Sequence, residues 1–253
     1  MSLTAPFSFQ LYSARKYPPL NEQLQFLADL GYTNVEPYRQ LFDDIGTLKA
    51  DLEANGLSAL TAHVGLHDLE TNLDDVVAKV KDLGVQTVVA PAVPHGEREK
   101  DLAGWKAVGR QLEIIAEELS DKDLDFAWHN HAFEFVRLED GSYPIEHILG
   151  DTLGWEVDVA WIACGNADPI EWMERYSGRV VAAHIKDLAP KGECADEDGW
   201  ADVGQGTMDW PALWNAAVNA GAQIMIAEHD NPNDYKRFAR RSIDAMKRLA
   251  ENS

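Results

Sequence analysis

The stretch DFAWHNHAFEF, residues 125–135, shows an alternation of apolar and polar residues that recurs along the whole chain. Side chains of a β-strand point alternately to its two faces, so Phe126 and Trp128 share one face and His129 and His131 share the other. The apolar face suits a covering layer of helices, which leaves the polar face for the interior. The stretch therefore predicts a buried strand that carries two histidines inward near its end.

Eight strand candidates of this kind occur, and a helical pattern follows each of them. They are FSFQLY (7–12), TNVEPY (33–38), SALTAHV (58–64), TVVAPAV (87–93), DFAWHNH (125–131), GWEVDVAW (154–161), VVAAHIKD (180–187) and IMIAEHD (224–230). Helical connections predict parallel pairing with right-handed crossovers. An open doubly wound sheet would usually carry a glycine-rich first turn, which LYSARKYPPL lacks. We therefore predict an α/β fold, a (β/α)8 TIM barrel that forms a single domain over residues 1–253.

Composition limits the classes of protein to consider. The chain is 45% hydrophobic and has a net charge of −21, which opposes binding to a phosphate backbone. No run of about 18 apolar residues is present, and the N-terminus does not read as a secretory signal. Cys164 and Cys194 are expected to be reduced. We expect a cytoplasmic protein that contacts neither nucleic acid nor membrane.

The last four strand candidates direct polar side chains toward one point. The inward positions are His129 and His131, then Glu156 and Asp158, then His184 and Lys186, and finally Glu228 and Asp230. All lie toward the carboxyl ends of their strands, where barrel active sites form. Glu36 and His63, on the second and third strands, can join them. A single inward histidine is more often a hydrogen-bonded core residue, but four adjacent strands with this pattern favour a site.

A metal ion would explain this convergence. Buried charges without partners cost roughly several kcal/mol each, and a divalent cation would offset that cost. The candidate ligands are carboxylate oxygens and imidazole nitrogens without a thiolate. This set suits Mn²⁺, Co²⁺, Zn²⁺, Fe²⁺ or Mg²⁺ and does not choose among them. We expect one divalent metal ion.

At these residues the chain resembles the sugar phosphate isomerase/epimerase family, the xylose isomerase-like barrels that also include endonuclease IV. The matching segments are GYTNVEPY, TAHVGL, HNHAFEF, WEVDVAW, RVVAAHIKD, VGQGTMDW and IAEHD. Members of that family hold one divalent metal with Glu, Asp, His and Glu from strands five to eight. The resemblance assigns the last three ligands to Asp158, His184 and Glu228. The first falls on His129, because the common Glu-Asn-His here reads His-Asn-His.

This departure removes one of the two metal-bound glutamates with which epimerases of the family move a proton. Glu134 could supply the missing carboxylate, either as a metal ligand or, as we prefer, as an acid/base. Lys186 could bind a substrate oxygen or polarise an oxyanion, or it could form a salt bridge to Asp158 or Glu156. Trp161 could form an apolar wall for a sugar ring or simply pack.

The resemblance implies a metal-dependent sugar isomerase or epimerase that acts through an enediolate. Glu228, Glu134 and Lys186 are the expected catalytic residues. Glu36, His63, His131 and Trp161 are the expected substrate contacts. A metal-dependent lyase acting on a 3-keto-glycoside is the alternative, and the single remaining metal-bound glutamate slightly favours such one-base outcomes.

Two other functions receive less support from the sequence. A nuclease like endonuclease IV conflicts with the acidic charge, and a silent sugar-binding barrel conflicts with the intact ligand set. The expected partner is a small sugar, and a homo-oligomer is left open. The irregular segment APKGECADEDGWADVGQGT (189–207) is either an active-site loop or a solvent-exposed insertion.

Overall fold

The computed structural model describes residues 6–98 and 100–253. Its centre is a barrel of eight parallel strands. These are β1 (Phe7–Gln10), β2 (Asn34–Glu36), β3 (Thr61–His63), β4 (Thr87–Ala90), β5 (Asp125–His129), β6 (Gly154–Asp158), β7 (Val180–Ile185) and β10 (Ile224–Ala227). Between the last two, β8 (Asp187–Leu188) and β9 (Trp200–Ala201) form a small antiparallel hairpin.

The strands follow the order β2-β1-β10-β7-β6-β5-β4-β3. The two end strands meet through isolated parallel bridges that pair Asn34 with Ser58 and Tyr38 with His63. The His63 amide donates to the Pro37 carbonyl over 2.9 Å at this seam. The predicted parallel barrel is thereby confirmed. The extent of a single domain over residues 1–253 stays a prediction.

Ten α-helices cover the strands over the described part of the chain. They are α1 (Leu20–Leu30), α2 (Ile45–Asn55), α3 (Leu66–Thr71), α4 (Leu73–Leu83), α5 (Leu102–Ser120), α6 (Pro144–Leu149), α7 (Val159–Cys164), α8 (Pro169–Arg175), α9 (Trp210–Ala220) and α10 (Tyr235–Glu251). Helix α1 is capped at its carboxyl end by Gly31, whose φ of 95° suits glycine. No helix within these residues is long and apolar enough to cross a membrane.

The hydrophobic core lies between the barrel and the helices. The outward side chains of the strands supply it, among them Phe9, Trp128 and Trp155, all of which are fully buried. Because these residues alternate with inward ones, the same strands deliver polar groups to the barrel interior. The two faces assigned to each strand from the sequence are thus the helix-facing and interior faces of the barrel.

All eight barrel strands are shorter than the segments predicted for them. The fifth ends at His129 instead of His131, and the sixth ends at Asp158 instead of Trp161. The cause at Asp158 is local, since its carboxylate accepts a hydrogen bond from the Trp161 amide over 2.9 Å and caps α7. An N-cap stops the strand and starts a helix, so Trp161 is helical.

Candidate functional site

Strand register brings the polar side chains together at the carboxyl end of the barrel. His129 on β5 is the lateral partner of Glu156 on β6. Asp158 on β6 is the partner of His184 on β7. Laterally paired residues of parallel strands share a face, so these four side chains all enter the interior.

The four residues predicted as metal ligands lie in one buried group. One ligand atom from each of His129, Asp158, His184 and Glu228 can be chosen so that all lie within 4.8 Å of one another. His184 Nδ1 is 2.7 Å from Glu228 Oε2. Within the described residues, His129 Nδ1 and Asp158 Oδ2 are buried without a hydrogen-bond partner. An imidazole nitrogen and a carboxylate oxygen that lack a hydrogen bond are suitable ligand atoms for a divalent cation.

A second group lies beside the first and shares two of its residues. His63, His129, Glu156 and His184 also bring ligand atoms within 4.8 Å of one another. His63 Nε2 is 2.7 Å from Glu156 Oε1, and the two rings of His63 and His184 stack in parallel at 5.3 Å. The structure therefore brings His63 into contact with the predicted ligand group.

Glu36 supports this second group from β2. Its Oε1 lies 2.8 Å from His184 Nε2 and accepts a hydrogen bond from Gln10 Nε2 over 2.7 Å. Glu36 is fully buried. Its predicted contact with substrate stays a prediction, and in the structure Glu36 lies against the far ring nitrogen of a predicted ligand. A carboxylate in this position would orient the imidazole if it bound a metal.

Burial and charge set the protonation states of these groups. Burial lowers the pKa of His129 to about 3, so its imidazole is neutral and able to bind a cation. Burial raises the pKa of Asp158 to about 7, although Lys186 opposes the shift. Burial would also raise the pKa of Glu228, but Lys186 and His184 lower it well below its usual range. Glu228 is therefore a carboxylate.

Lys186 is enclosed by carboxylates. Its Nζ lies 2.9 Å from Asp230 Oδ2, 3.0 Å from Glu228 Oε2 and 3.3 Å from Asp158 Oδ2. Burial disfavours the ammonium, yet Asp158, Asp230 and Glu228 raise the pKa of Lys186 above its usual value. The salt bridge to Asp158, one of the two interpretations offered for Lys186, is present, and the described ion pairs of Lys186 do not include Glu156. Lys186 is thus a stable cation beside the predicted ligands.

Two tryptophans flank this lysine. Lys186 Nζ lies 5.1 Å from the ring centroid of Trp161 and 4.7 Å from that of Trp200. The Trp161 ring also lies 5.4 Å from the ring of His131. Trp161 therefore packs between the Lys186 ammonium and the His131 imidazole, and both interpretations offered for it agree with this position.

Glu134, predicted as an acid/base or a metal ligand, has hydrogen bonds at both carboxylate oxygens. Its Oε1 accepts from Trp128 Nε1 and its Oε2 accepts from the His131 amide, each over 3.2 Å. Trp128 faces the helix layer, so the carboxylate lies on the outer side of β5. Burial raises the pKa of Glu134 well above its usual range. The geometry favours a role in holding the backbone of His131.

An open cavity of about 400 Å³ leads to the predicted ligands. His129 and Glu228 line its inner part together with His63 and His131. Asp198, from the irregular segment after β7, also lines it. The 189–207 segment therefore reaches the cavity, in line with an active-site loop.

Several residues of the site were missed by sequence reasoning. Gln10 contacts Glu36, and the alternation of FSFQLY could have indicated it. Asn130 accepts hydrogen bonds from the Asp158 amide and from Trp155 Nε1, each over 2.9 Å. No local signal links Asn130 to the next strand, because the contact exists only between neighbours in the barrel.

Proteins similar to this chain in sequence include a rhizopine catabolism protein and an inosose dehydratase. The rhizopine catabolism protein MocC of Rhizobium meliloti is 22% identical over 247 residues, which cover 85% of this chain and 76% of MocC. Inosose dehydratase from Lacticaseibacillus casei is 22% identical over 174 residues, which cover 59% of this chain and 57% of the dehydratase.

Solved structures share the fold. A sugar phosphate isomerase/epimerase from Parabacteroides distasonis ATCC 8503 superimposes with a TM-score of 0.77 at 22% identity, covering 97% of this chain and 94% of that protein. The IOLI protein, solved with a bound zinc atom, gives a TM-score of 0.78 at 16% identity and covers 98% of both chains. At these identities the likeness shows the fold alone.

The family model described as the xylose isomerase-like TIM barrel matches residues 24–249. The match runs from α1 to α10 and includes every residue of the predicted ligand group. This chain belongs to the xylose isomerase-like TIM barrel family.

Proposed function

We propose that this chain is a divalent-metal-dependent sugar isomerase or epimerase that acts on a keto- or aldo-sugar, or a derivative, through an enediolate. One observation carries the proposal: the ligand atoms of His129, Asp158, His184 and Glu228 converge within 4.8 Å. Two of these residues, His129 and Glu228, line a cavity large enough for a small sugar.

The metal would be held by these four residues. A divalent cation bound there would act as a Lewis acid on the substrate oxygens. His129 Nδ1 has no hydrogen-bond partner among the described residues, and Asp158 Oδ2 has an ion pair with Lys186 over 3.3 Å but no hydrogen bond. The zinc atom of the structurally similar IOLI protein supports zinc among the five candidate ions.

Glu228 is the residue to which we assign proton removal. It lines the cavity, and Lys186 and His184 overcome the effect of burial and keep its carboxyl ionised. His131 is a second candidate, because burial keeps its imidazole neutral and its Nδ1 has no hydrogen-bond partner among the described residues. Return of the proton to the neighbouring carbon gives an isomerase, and return to the opposite face gives an epimerase.

Lys186 would stabilise the oxyanion that forms as the proton leaves. Its ammonium lies 3.0 Å from Glu228 Oε2, so positive charge is already in place next to the base. A preorganised charge in a buried site is more effective than one in water. A permanent cation cannot itself serve as the base.

A metal-dependent lyase is the second candidate function. The similarity to inosose dehydratase and the replacement of the first glutamate ligand by His129 both favour it. In a β-elimination one base removes the proton and the β-substituent leaves. Only one metal-bound glutamate is needed for that outcome.

The test is solvent exchange. The protein, loaded in turn with Zn²⁺, Mn²⁺, Co²⁺, Fe²⁺ or Mg²⁺, is incubated in D₂O with a panel of keto-sugars and inososes, and the products are identified by mass spectrometry and NMR after the metal is removed. Deuterium at a carbon next to the carbonyl supports the proposal, and loss of water or of an aglycone identifies the lyase. Chelator-treated protein is the control. Absence of exchange and of elimination with every metal would contradict both functions.

A further inference from the structure

We propose that Asp198 is a further substrate-binding residue, whose carboxylate accepts a hydrogen bond from a substrate hydroxyl, and that Arg237 positions it. The proposal rests on the proposed function, because it adds a contact to the same site. Asp198 belongs to the irregular segment after β7, and it lines the cavity together with the predicted ligand Glu228. A substrate that reaches Glu228 therefore passes this carboxylate.

Three carboxylates line the cavity over the described part of the chain, and two of them already have a cation. Glu228 Oε2 lies 3.0 Å and Asp230 Oδ2 lies 2.9 Å from Lys186 Nζ. The third, Asp198, is exposed. Residues 6–98 and 100–253 place no hydrogen-bond donor or cation against it. Asp198 can therefore accept a hydrogen bond from a ligand without giving up an existing partner.

The two arginines that line the same cavity have acceptors of their own. Arg15 Nη1 donates to two backbone carbonyls, over 2.8 Å and 2.6 Å. Arg39 pairs with Asp43 and Asp68 over 2.7 Å and 3.0 Å. Neither arginine is the partner of Asp198, so a ligand is the group that its carboxylate is placed to meet.

The backbone of Asp198 lies in a region that favours glycine. Its φ is 59°, in the left-handed region. The amides of Glu197 and Gly199 both donate to the Cys194 carbonyl over 2.9 Å, which closes the turn around it. Glycine would adopt this conformation with less strain. A strained residue whose side chain faces a cavity points to a use for that side chain.

Arg237, on α10, holds the turn from both ends. Its Nη2 donates to Glu197 Oε1 over 2.6 Å, and its Nε donates to Asp202 Oδ2 over 2.9 Å. Glu197 and Asp202 are both buried, and they stand on either side of Asp198 in the chain. A planar guanidinium that binds two carboxylates fixes their relative positions. Arg237 thereby fixes the segment that presents Asp198.

The loop after β10 provides a second anchor for the same turn. The Asn233 amide donates to Glu197 Oε1 over 2.6 Å, and Asn233 Nδ2 donates to Asp196 Oδ2. This loop follows directly on Glu228. The turn that carries Asp198 is therefore attached to the part of the chain that carries a predicted metal ligand.

The first experiment replaces Asp198 in the zinc-loaded full chain and measures the binding of D-fructose, D-tagatose and scyllo-inosose by calorimetry. In Asp198→Gly, which keeps the left-handed turn, we expect at least one compound that binds the wild type to bind about tenfold more weakly or worse. Asp198→Asn should lose less, because its amide oxygen still accepts. Zinc affinity should not change, and Tm should stay within about 2 °C of the wild type. Glu193→Gln, at an exposed acidic residue of the same segment, should bind as the wild type does.

The second experiment compares two arginines on one face of α10. Arg241 Nη1 also donates to Asp202, over 3.0 Å, but its described contacts do not include Glu197. Arg237→Gln should weaken binding of the same compound and speed amide hydrogen exchange in residues 194–199, whereas Arg241→Gln should do neither. Arg237→Lys keeps the charge and loses the planar fork, so it replaces Arg237→Gln if that variant does not fold.

A double variant separates positioning from direct contact. If Arg237 acts through Asp198, adding Arg237→Gln to Asp198→Gly should weaken binding no further. Additive losses would overturn the positioning role. Wild-type affinity in Asp198→Gly, reduced zinc affinity in that variant, or failure of all three compounds to bind the wild type would overturn the substrate contact. Binding to the wild type without deuterium exchange would refute the proposed reaction and leave the role of Asp198 standing.

Discussion

Trp128 Nε1 donates a hydrogen bond to Glu134 Oε1 over 3.2 Å, on the side of β5 that faces the helices. The same carboxylate accepts from the His131 amide, so Glu134 connects the buried core to the residue that lines the cavity. A catalytic carboxylate would instead need access to the substrate. From this contact we infer that Glu134 positions His131 and does not itself move the proton.

The first prediction concerns turnover in Glu134→Gln. We expect metal content to stay unchanged and kcat to fall by less than about 10²-fold, the lower end of the range for loss of a general acid/base. The reason is that the amide disturbs the His131 backbone without removing a group that touches substrate. Metal content by plasma mass spectrometry and steady-state kinetics provide the measurement, with Glu139→Gln, an exposed glutamate nearby, as the control. Loss of the metal would show that Glu134 is a ligand, and a larger fall in kcat with metal retained would restore it as an acid/base.

The second prediction concerns the pH dependence of stability. Burial raises the folded-state pKa of Glu134 well above its ordinary value of 4.5. The folded state thus binds the Glu134 proton more tightly than the unfolded state. The contribution of this proton to the free energy of unfolding is full below pH 4.5 and is lost as the pH rises through the raised pKa.

In metal-free protein, Glu134→Gln should therefore lose less unfolding free energy than the wild type between about pH 5 and 8. Urea unfolding at a series of pH values measures the difference. Parallel pH profiles for the two proteins would show that Glu134 titrates as it does in the unfolded chain.

The third prediction separates metal binding from helix capping. Asp158 caps α7 and Asp168 caps α8, each through a carboxylate that accepts a backbone amide. Asparagine retains that capping bond. We expect Asp158→Asn to lower zinc affinity by about 100-fold or more, and Asp168→Asn to leave it unchanged. Competition with a chromogenic chelator measures the affinity, and equal affinities in the two variants would remove Asp158 from the ligand group.

The fourth prediction concerns Lys186→Met. Removal of this ammonium leaves Asp158, Glu228 and Asp230 without their shared cation. Breaking a buried pair in this way costs about 3–5 kcal/mol, so the metal-free variant should unfold at a lower temperature than the wild type.

A divalent cation would replace part of the missing charge. The rise in Tm on addition of Zn²⁺ should therefore be larger in Lys186→Met than in the wild type. Lys191→Met, at an exposed lysine after the same strand, is the control. An equal metal-induced shift in all three proteins would show that the lysine and the metal do not share these carboxylates.

The sequence alone was sufficient to predict the barrel and the direction of its inward side chains. Alternation in a strand has a period of two, so a run such as WEVDVAW states which residues share a face without any long-range information. Asp158, His184 and Glu228 were placed on the inner face in this way, and the structure brings them together. Helical stretches between the strands likewise predicted parallel pairing, since parallel neighbours need long crossovers.

The tertiary structure decided what alternation cannot state, namely distances across the barrel and the ends of strands. Asp158 ends its strand because it caps a helix, and Glu134 turns outward because Trp128 offers it a buried donor. Lys186, just after β7, finds three carboxylates at the carboxyl ends of β6 and β10, the strands that flank β7 and lie far apart in sequence. Such contacts depend on the register and closure of the barrel, which bring distant residues within a few ångströms. Local sequence patterns therefore predict the face on which a side chain lies, and only the folded chain determines its partner.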